Sequence, residues 1–177
     1  MQPFVSDIKE IQKHARQHIN EGAVTNANRT SHEQVVKVLN DVLATELVCV
    51  LRYRRHYYVA QGLRAEAVKG EFLQHSVEEQ QHADEVATRI TQLNGEPDFN
   101  PETLKKRSHS QYDEGMDLIA MIKEDLVAER IAIETYIEIS RWLGEEDPTT
   151  RRLMERILEK EEEHAEDLVN MLDRVPH

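Results

Sequence analysis

The sequence predicts an all-α fold, an antiparallel four-helix bundle with one long crossover connection and an extra helix on its N-terminal side. Three observations carry that expectation. Six glycines and five prolines in 177 residues are about half the usual share of roughly 12%, too few turn-formers for a sandwich or barrel of many short strands. Four long stretches carry apolar residues at steps of three and four, the period of one helix face. The connections between these stretches run short, long, short, as two antiparallel pairs joined by a crossover require.

Taken in order, residues 7–20 place Ile8, Ile11, Ala15 and Ile19 on one face, and Gly22 ends that helix before a polar run from Thr25 to Ser31. Ser31 with Gln34 reads as a capping box opening the first bundle helix. That helix carries Leu39, Leu43, Glu46, Val50, Tyr53 and Tyr57 on one stripe and closes at Gly62. The next stretch, from about Arg64 to Asn94, aligns Val68, Phe72, His75, Glu79, His82, Val86, Ile90 and Leu93 before Asn94-Gly95 stops it. Gly95 to Ser110 holds Pro97 and Pro101 and forms the crossover between the second and third bundle helices (the B–C connection). Within it, Asn100-Pro101 starts a short helix, a cap followed by proline at the first position. The third bundle helix spans Asp113 to Leu143, with Leu118, Ile122, Asp125, Glu129, Ala132, Ile133, Tyr136, Ser140 and Leu143 inward, and Gly144 closes it. Asp147-Pro148 opens the fourth, whose stripe is Leu153, Ile157, Glu161, His164, Leu168 and Met171. Residues 1–30 thus read as a helical arm and 31–177 as the bundle.

Charge narrows the function. With 22 basic against 34 acidic residues the net charge is −12, which disfavours nucleic-acid binding and attracts cations. The arm sets Lys9, Lys13, Arg16 and Arg29 against Asp7, Glu10 and Glu21. It is no polybasic tail, so DNA is not an expected partner. Its isoleucines are expected to pack on a neighbouring subunit. The single cysteine, Cys49, excludes an intramolecular disulfide and any CxxC knuckle and reads as a small buried hydrophobe. No leader-like apolar segment opens the chain and no run approaches membrane-spanning length. A soluble cytoplasmic protein is expected.

The informative feature is a glutamate interrupting the apolar stripe of every bundle helix: Glu46, Glu79, Glu129 and Glu161. Unpaired buried carboxylates are costly, so four facing one another need compensation. The second and fourth helices each add a histidine three residues on, Glu79-x-x-His82 and Glu161-x-x-His164, and positions i and i+3 share a helix face. Each lone glutamate is followed seven residues later by a tyrosine, Tyr53 or Tyr136, giving two half-repeats of the form Glu…Tyr…Glu-x-x-His. Four carboxylates are neutralised by two divalent ions. Four oxygen ligands and two imidazoles without thiolate suit iron or manganese over structural zinc. Tyr53 and Tyr136 are placed to hydrogen-bond the ligand glutamates or to quench oxidising equivalents and read equally well as aromatic core filling, while Asp125 is placed to orient a ligand histidine. His56 is placed to flank an iron access route, and His75 reads as a satisfied polar residue. Glu71 and Glu78 are placed to help nucleate mineral on an inner surface, and a solvated helix face explains them as well.

Residues 39–58 (LNDVLATELVCVLRYRRHYY), 78–86 (EEQQHADEV), 124–136 (EDLVAERIAIETY) and 159–168 (EKEEEHAEDL) resemble the ferritin-like superfamily, and bacterioferritin most closely. The resemblance spans about residues 31–172. It implies that Glu46, Glu79, His82, Glu129, Glu161 and His164 ligate two iron ions per subunit (manganese or zinc able to substitute), with Glu79 and Glu161 bridging and Glu46 and Glu129 terminal. It implies a ferroxidase that oxidises Fe(II) with dioxygen or hydrogen peroxide and stores ferric mineral in a hollow homo-oligomeric shell. A non-storage di-iron or di-manganese enzyme, a hydroxylase or catalase-like protein, is the alternative. The methionine that binds haem in bacterioferritins is Gln80 here, so haem is not expected. The fifth helix of bacterioferritin is not expected either. The extra N-terminal helix and long B–C connection look like Dps mini-ferritins, which favours a dodecamer over the larger bacterioferritin cage.

Overall fold

A computed structural model describes residues 7–25, 31–62 and 65–175. Among the described residues the structure is all-helical. Helix α1 (Ile8–His14) is followed by α2 (His32–Val59), α3 (Lys69–Gln92), the short α4 (Pro101–Arg107), α5 (Leu118–Leu143) and α6 (Pro148–Arg174). Caps explain where the later helices begin. Asp117 accepts from the Ala120 amide at 2.9 Å, Asn100 from Glu102 at 3.0 Å and Asp147 from Thr150 at 3.0 Å, each satisfying an amide that has no partner inside its helix.

Two apolar clusters fix the topology. One gathers Leu39 and Leu43 of α2, Val86 and Ile90 of α3, Ile139 and Leu143 of α5, and Met154 and Ile157 of α6. The other gathers Cys49 and Tyr53, Phe72, Met121 and Ile122, and Leu168 and Met171 from the same four helices, with Val68 just before α3. Helices α2 and α6 therefore run from the first cluster to the second, and α3 and α5 run back. The crossover joins two parallel helices, so it must traverse the bundle's length. It does so along α2. Asn40 donates to Glu96 O at 3.1 Å and accepts from Asp98 N at 2.7 Å. Arg107 donates to Asn40 O at 2.6 Å, His109 N to Thr45 Oγ1 at 3.0 Å and Arg52 to Gln111 O at 2.8 Å.

Four sequence-based expectations about helix ends need correction. The arm is not one helix over 7–20: α1 stops at His14, His18 takes a left-handed backbone with φ 51°, and a separate 3-10 turn covers Ile19–Glu21. Helix α1 buries no residue, so no core contact holds it straight. Ser31 does stand at the N-cap of α2, but its hydroxyl caps nothing, and the capping box is not formed. Helix α3 begins at Lys69, after a 3-10 turn at Ala65–Ala67. Helix α5 begins at Leu118 rather than Asp113, because Gly115 sits at φ 62° and Asp117 supplies the cap.

The first turn of the crossover is tight enough to test. A methyl group added at Gly95 would lie 2.6 Å from both γ-carbons of Val36 and 3.1 Å from Ile90 Cγ2, and a β-branched valine has little freedom to move aside. Gly95→Ala is expected to cost about 1–3 kcal/mol by overpacking, read as a lower denaturant midpoint at unchanged slope.

Candidate metal centre

Between the two apolar clusters lies a polar layer built from one turn of each long helix. Glu46, Glu79, Glu129, Glu161 and His164 are at most 1% exposed and His82 is 6% exposed. The structure brings all six sequence-predicted residues together in two overlapping groups, one of Glu46, Glu79, His82 and Glu161, the other of Glu79, Glu129, Glu161 and His164, the donor atoms of each group lying within 4.8 Å of one another. Glu79 and Glu161 belong to both groups. His82 Nδ1 is 3.0 Å from Glu161 Oε1 and 3.4 Å from Glu46 Oε2. His164 Nδ1 is 3.3 Å from Glu79 Oε1 and 3.5 Å from Glu161 Oε2.

The tyrosines complete a pseudo-twofold arrangement. Tyr53 donates to Glu129 Oε1 and Tyr136 donates to Glu46 Oε1, so both are more than aromatic core filling. Each bond occupies one carboxylate oxygen and leaves the other facing inward. The inward atoms have no hydrogen-bond partner: Glu46 Oε2, Glu79 Oε1, His82 Nδ1, Glu129 Oε2, both oxygens of Glu161, and His164 Nδ1. Buried polar atoms are rarely left unpaired. Seven converging on one space, all of them oxygen or imidazole nitrogen, fit a pair of divalent cations in number, charge and donor chemistry.

Electrostatics agree. Burial, together with the charges of Glu79 and Glu161, raises both Glu46 and Glu129 well above the usual carboxylate range. Burial also works against protonation of the histidines, but the surrounding carboxylates outweigh it: His82 is raised strongly, and His164 is pushed up to about 12. Glu79 goes the other way, because the nearby Glu46, His164 and His82 outweigh its burial. Without metal, protons on these groups balance the charge, so cations must displace them. We therefore expect about two protons released per divalent ion, four such groups serving two ions, and an affinity that falls as pH falls. Calorimetric titration with Zn(II) in buffers of different ionisation enthalpy reads the count directly.

Three secondary residues stand where the sequence did not put them. Asp125 does not touch a ligand histidine. It accepts from Arg52 Nε at 2.7 Å and pairs with His56 Nδ1 at 2.8 Å, in a fully buried triad beside the second apolar cluster. Its helix phase was inward as expected, but it lies a full turn from Glu129, level with α2 residues past the metal layer. His56 is completely buried and so flanks no solvent route. The edge that does meet solvent is His82, which borders a cleft of about 210 Å³ lined by Glu78, Gln81, Glu85, Arg156, Ile157 and Lys160. His75, expected to be a satisfied polar residue, is fully buried with neither ring nitrogen hydrogen-bonded.

Sequence reasoning also missed Glu78. Its Oε2 lies 2.6 Å from His164 Nε2, so it holds the ring that directs Nδ1 inward. The available signal was the rule that a ligating histidine gives its other nitrogen to a carboxylate, applied to the acidic neighbour of Glu79. Gln80 donates instead to Asp84 at 3.0 Å along the outer face of α3.

Comparison with known proteins places the chain in a family. A model of the ferritin-like domain matches residues 36–177. A bacterioferritin of Desulfovibrio desulfuricans is 29% identical over 132 residues, 74% of this chain and 70% of its own length. A nutrient stress-induced DNA-binding protein of a Nostoc species is 30% identical over 150 residues, 82% of this chain and 80% of its own. Among solved structures, a bacterioferritin-related protein of Bacteroides fragilis, described as a dodecameric thioferritin, superposes with a TM-score of 0.78 at 31% identity, covering 82% of this chain and 88% of that one.

Proposed function

The chain belongs to the ferritin-like domain family, and from that premise we propose that it is an iron-storage and detoxification ferroxidase with an intrasubunit dinuclear site. The observation that carries this reading is the set of seven unpartnered donor atoms converging between four helices. Glu46, His82, Glu129 and His164 would each serve one ion, and Glu79 and Glu161, common to both groups, would bridge the two.

Fe(II) is the substrate. It arrives through the cleft beside His82, where Glu78 and Glu85 stand among Arg156 and Lys160, and the two bound ions together give up two electrons. With hydrogen peroxide these electrons and two protons yield two waters; with dioxygen and two protons they yield one peroxide. Hard carboxylate oxygens favour the ferric product. Tyr53 and Tyr136 hold Glu129 and Glu46 so that each offers its free oxygen inward, while Glu78 fixes His164. Burial excludes bulk water. A cleft of about 210 Å³ is smaller than the roughly 300–1,000 Å³ of pockets for organic ligands, which favours small oxidants over the substrate of a hydroxylase.

The product would be stored inside a homo-oligomeric shell. The dodecamer described for the Bacteroides fragilis relative and the exposed Leu51, Tyr58, Val77 and Val127 support assembly. No helix among the described residues is long and apolar enough to cross a membrane, which is compatible with a cytoplasmic location, and the −12 charge argues against DNA as a partner. The test adds excess Fe(II) to metal-free protein in air, desalts it, and measures retained iron with native mass. Storage predicts retention far above two ions per subunit in a large oligomer. Retention near two, the capacity of one dinuclear site, would assign a non-storage di-metal enzyme instead.

A further inference from the structure

One buried histidine borders the dinuclear layer without belonging to either of its two four-residue groups. His75 is fully buried, and its ring is held on two sides, stacked on His164 at a centroid separation of 4.1 Å and edge-on to Tyr53 at 5.3 Å. Neither of its nitrogens makes a hydrogen bond. Nε2 approaches Asp167 Oδ2 at 3.5 Å, within ion-pair reach but outside hydrogen-bond geometry. A neutral imidazole left this way forfeits a partner that buried polar atoms nearly always find.

Its surroundings supply a partner of a different kind. Glu71 lies one turn before His75 on α3, and Asp167 lies three residues after His164 on α6, so each carboxylate shares a helix face with a ring of the stack. Donor atoms of Glu71, His75 and Asp167 all lie within 4.8 Å of one another. Glu71 is half-buried and Asp167 exposed, so the carboxylate side of this group is open to solvent while the imidazole side is closed.

We propose that Glu71, His75 and Asp167 form a third, mononuclear site for a divalent transition-metal ion, beside the dinuclear layer, which His75 meets through the stacked ring of His164 and through Glu129, one donor atom of each of the three lying within 4.8 Å of the others. Two carboxylates neutralise the ion, one imidazole supplies nitrogen, and waters on the exposed side complete the shell. That donor set suits Fe(II), Mn(II), Co(II) or Zn(II). An acidic pair on the surface would not by itself imply a site. What distinguishes this one is the buried, oriented, unpartnered imidazole aimed at the pair.

The test counts ions on metal-free, full-length protein by equilibrium dialysis against Co(II) under anaerobic conditions. Wild type is expected to bind three ions per subunit, and the double variant E71Q/D167N one fewer. Both substitutions sit toward solvent, which keeps the fold intact, and native mass verifies it. Equal stoichiometry in wild type and E71Q/D167N overturns the proposal. A parallel E46Q/E129Q variant separates the two sites. It is expected to lose dinuclear binding yet retain the ion that E71Q/D167N loses, so failure of the dinuclear reading and failure of this one give different counts. Anomalous diffraction from Co(II)-soaked crystals supplies the position, with a peak between His75 and Asp167 expected. Its absence in crystals that show the other Co(II) sites counts against the proposal.

Discussion

Glu129→Gln is expected to lower the rate of Fe(II) oxidation by at least about 100-fold while leaving the metal-free protein as stable as wild type. The activity loss follows from the position of Glu129, whose free Oε2 faces the shared space. Outer partners of metal ligands already cost about 10–100-fold when removed, and a ligand should cost more. The unchanged stability follows from electrostatics. Glu129 is a fully buried carboxylate raised by burial and by the charges of Glu79 and Glu161. In the metal-free protein Glu129 therefore holds a proton, so the neutral amide replaces a neutral carboxyl without changing the charge of the layer, and the amide oxygen still accepts from Tyr53. Stopped-flow oxidation and thermal melting of the metal-free protein check both halves. A drop in activity accompanied by a drop in stability would mark Glu129 as structural.

Asp125→Ala should do the opposite, destabilising the bundle by about 3–5 kcal/mol, the usual cost of stripping one partner from a buried ion pair. Arg52 is 1% exposed and Asp125 and His56 are wholly buried. Among the described residues, losing Asp125 leaves the guanidinium with Gln111 O and Cys49 Sγ as its hydrogen-bond partners. The triad also ties the end of the crossover, at Gln111, to α2 and α5. Asp125→Asn, which retains an acceptor, should cost less. Denaturant unfolding of the metal-free protein measures both, and a change below about 1 kcal/mol for Asp125→Ala would show the buried pair contributing little.

Much of this architecture is legible in the sequence because each long helix keeps one apolar phase from end to end. That phase alone placed Leu39, Phe72, Ile122 and Leu168 in the core, and it exposed four glutamates standing where leucines would serve. Caps made the starts of α4 and α6 readable, since Asn100-Pro101 and Asp147-Pro148 combine a side-chain acceptor with a residue lacking an amide hydrogen.

Other features were not readable, each for a physical reason. Phase gives the direction a side chain faces and not its depth along a neighbour, so Asp125 was inward as expected yet met Arg52 and His56 instead of a ligand. Arg52 drew no attention because arginine is seldom fully buried. Glu78 looked solvated because its function depends on which nitrogen of His164 is free, a fact of three dimensions. The arm's helix was overextended because three isoleucines at helical spacing do not make a helix when nothing packs on them. Ile8, Ile11 and Ile19 are 51–78% exposed in the isolated subunit.

The most direct test of the dinuclear reading is anomalous diffraction at the iron edge from crystals soaked anaerobically in Fe(II). The expected result is two peaks in the polar layer, roughly 3.5–4 Å apart as in other two-metal sites. Each should lie within coordination reach of both Glu79 and Glu161, one beside Glu46 and His82 and the other beside Glu129 and His164. A single peak, or iron bound only outside the layer, would contradict it.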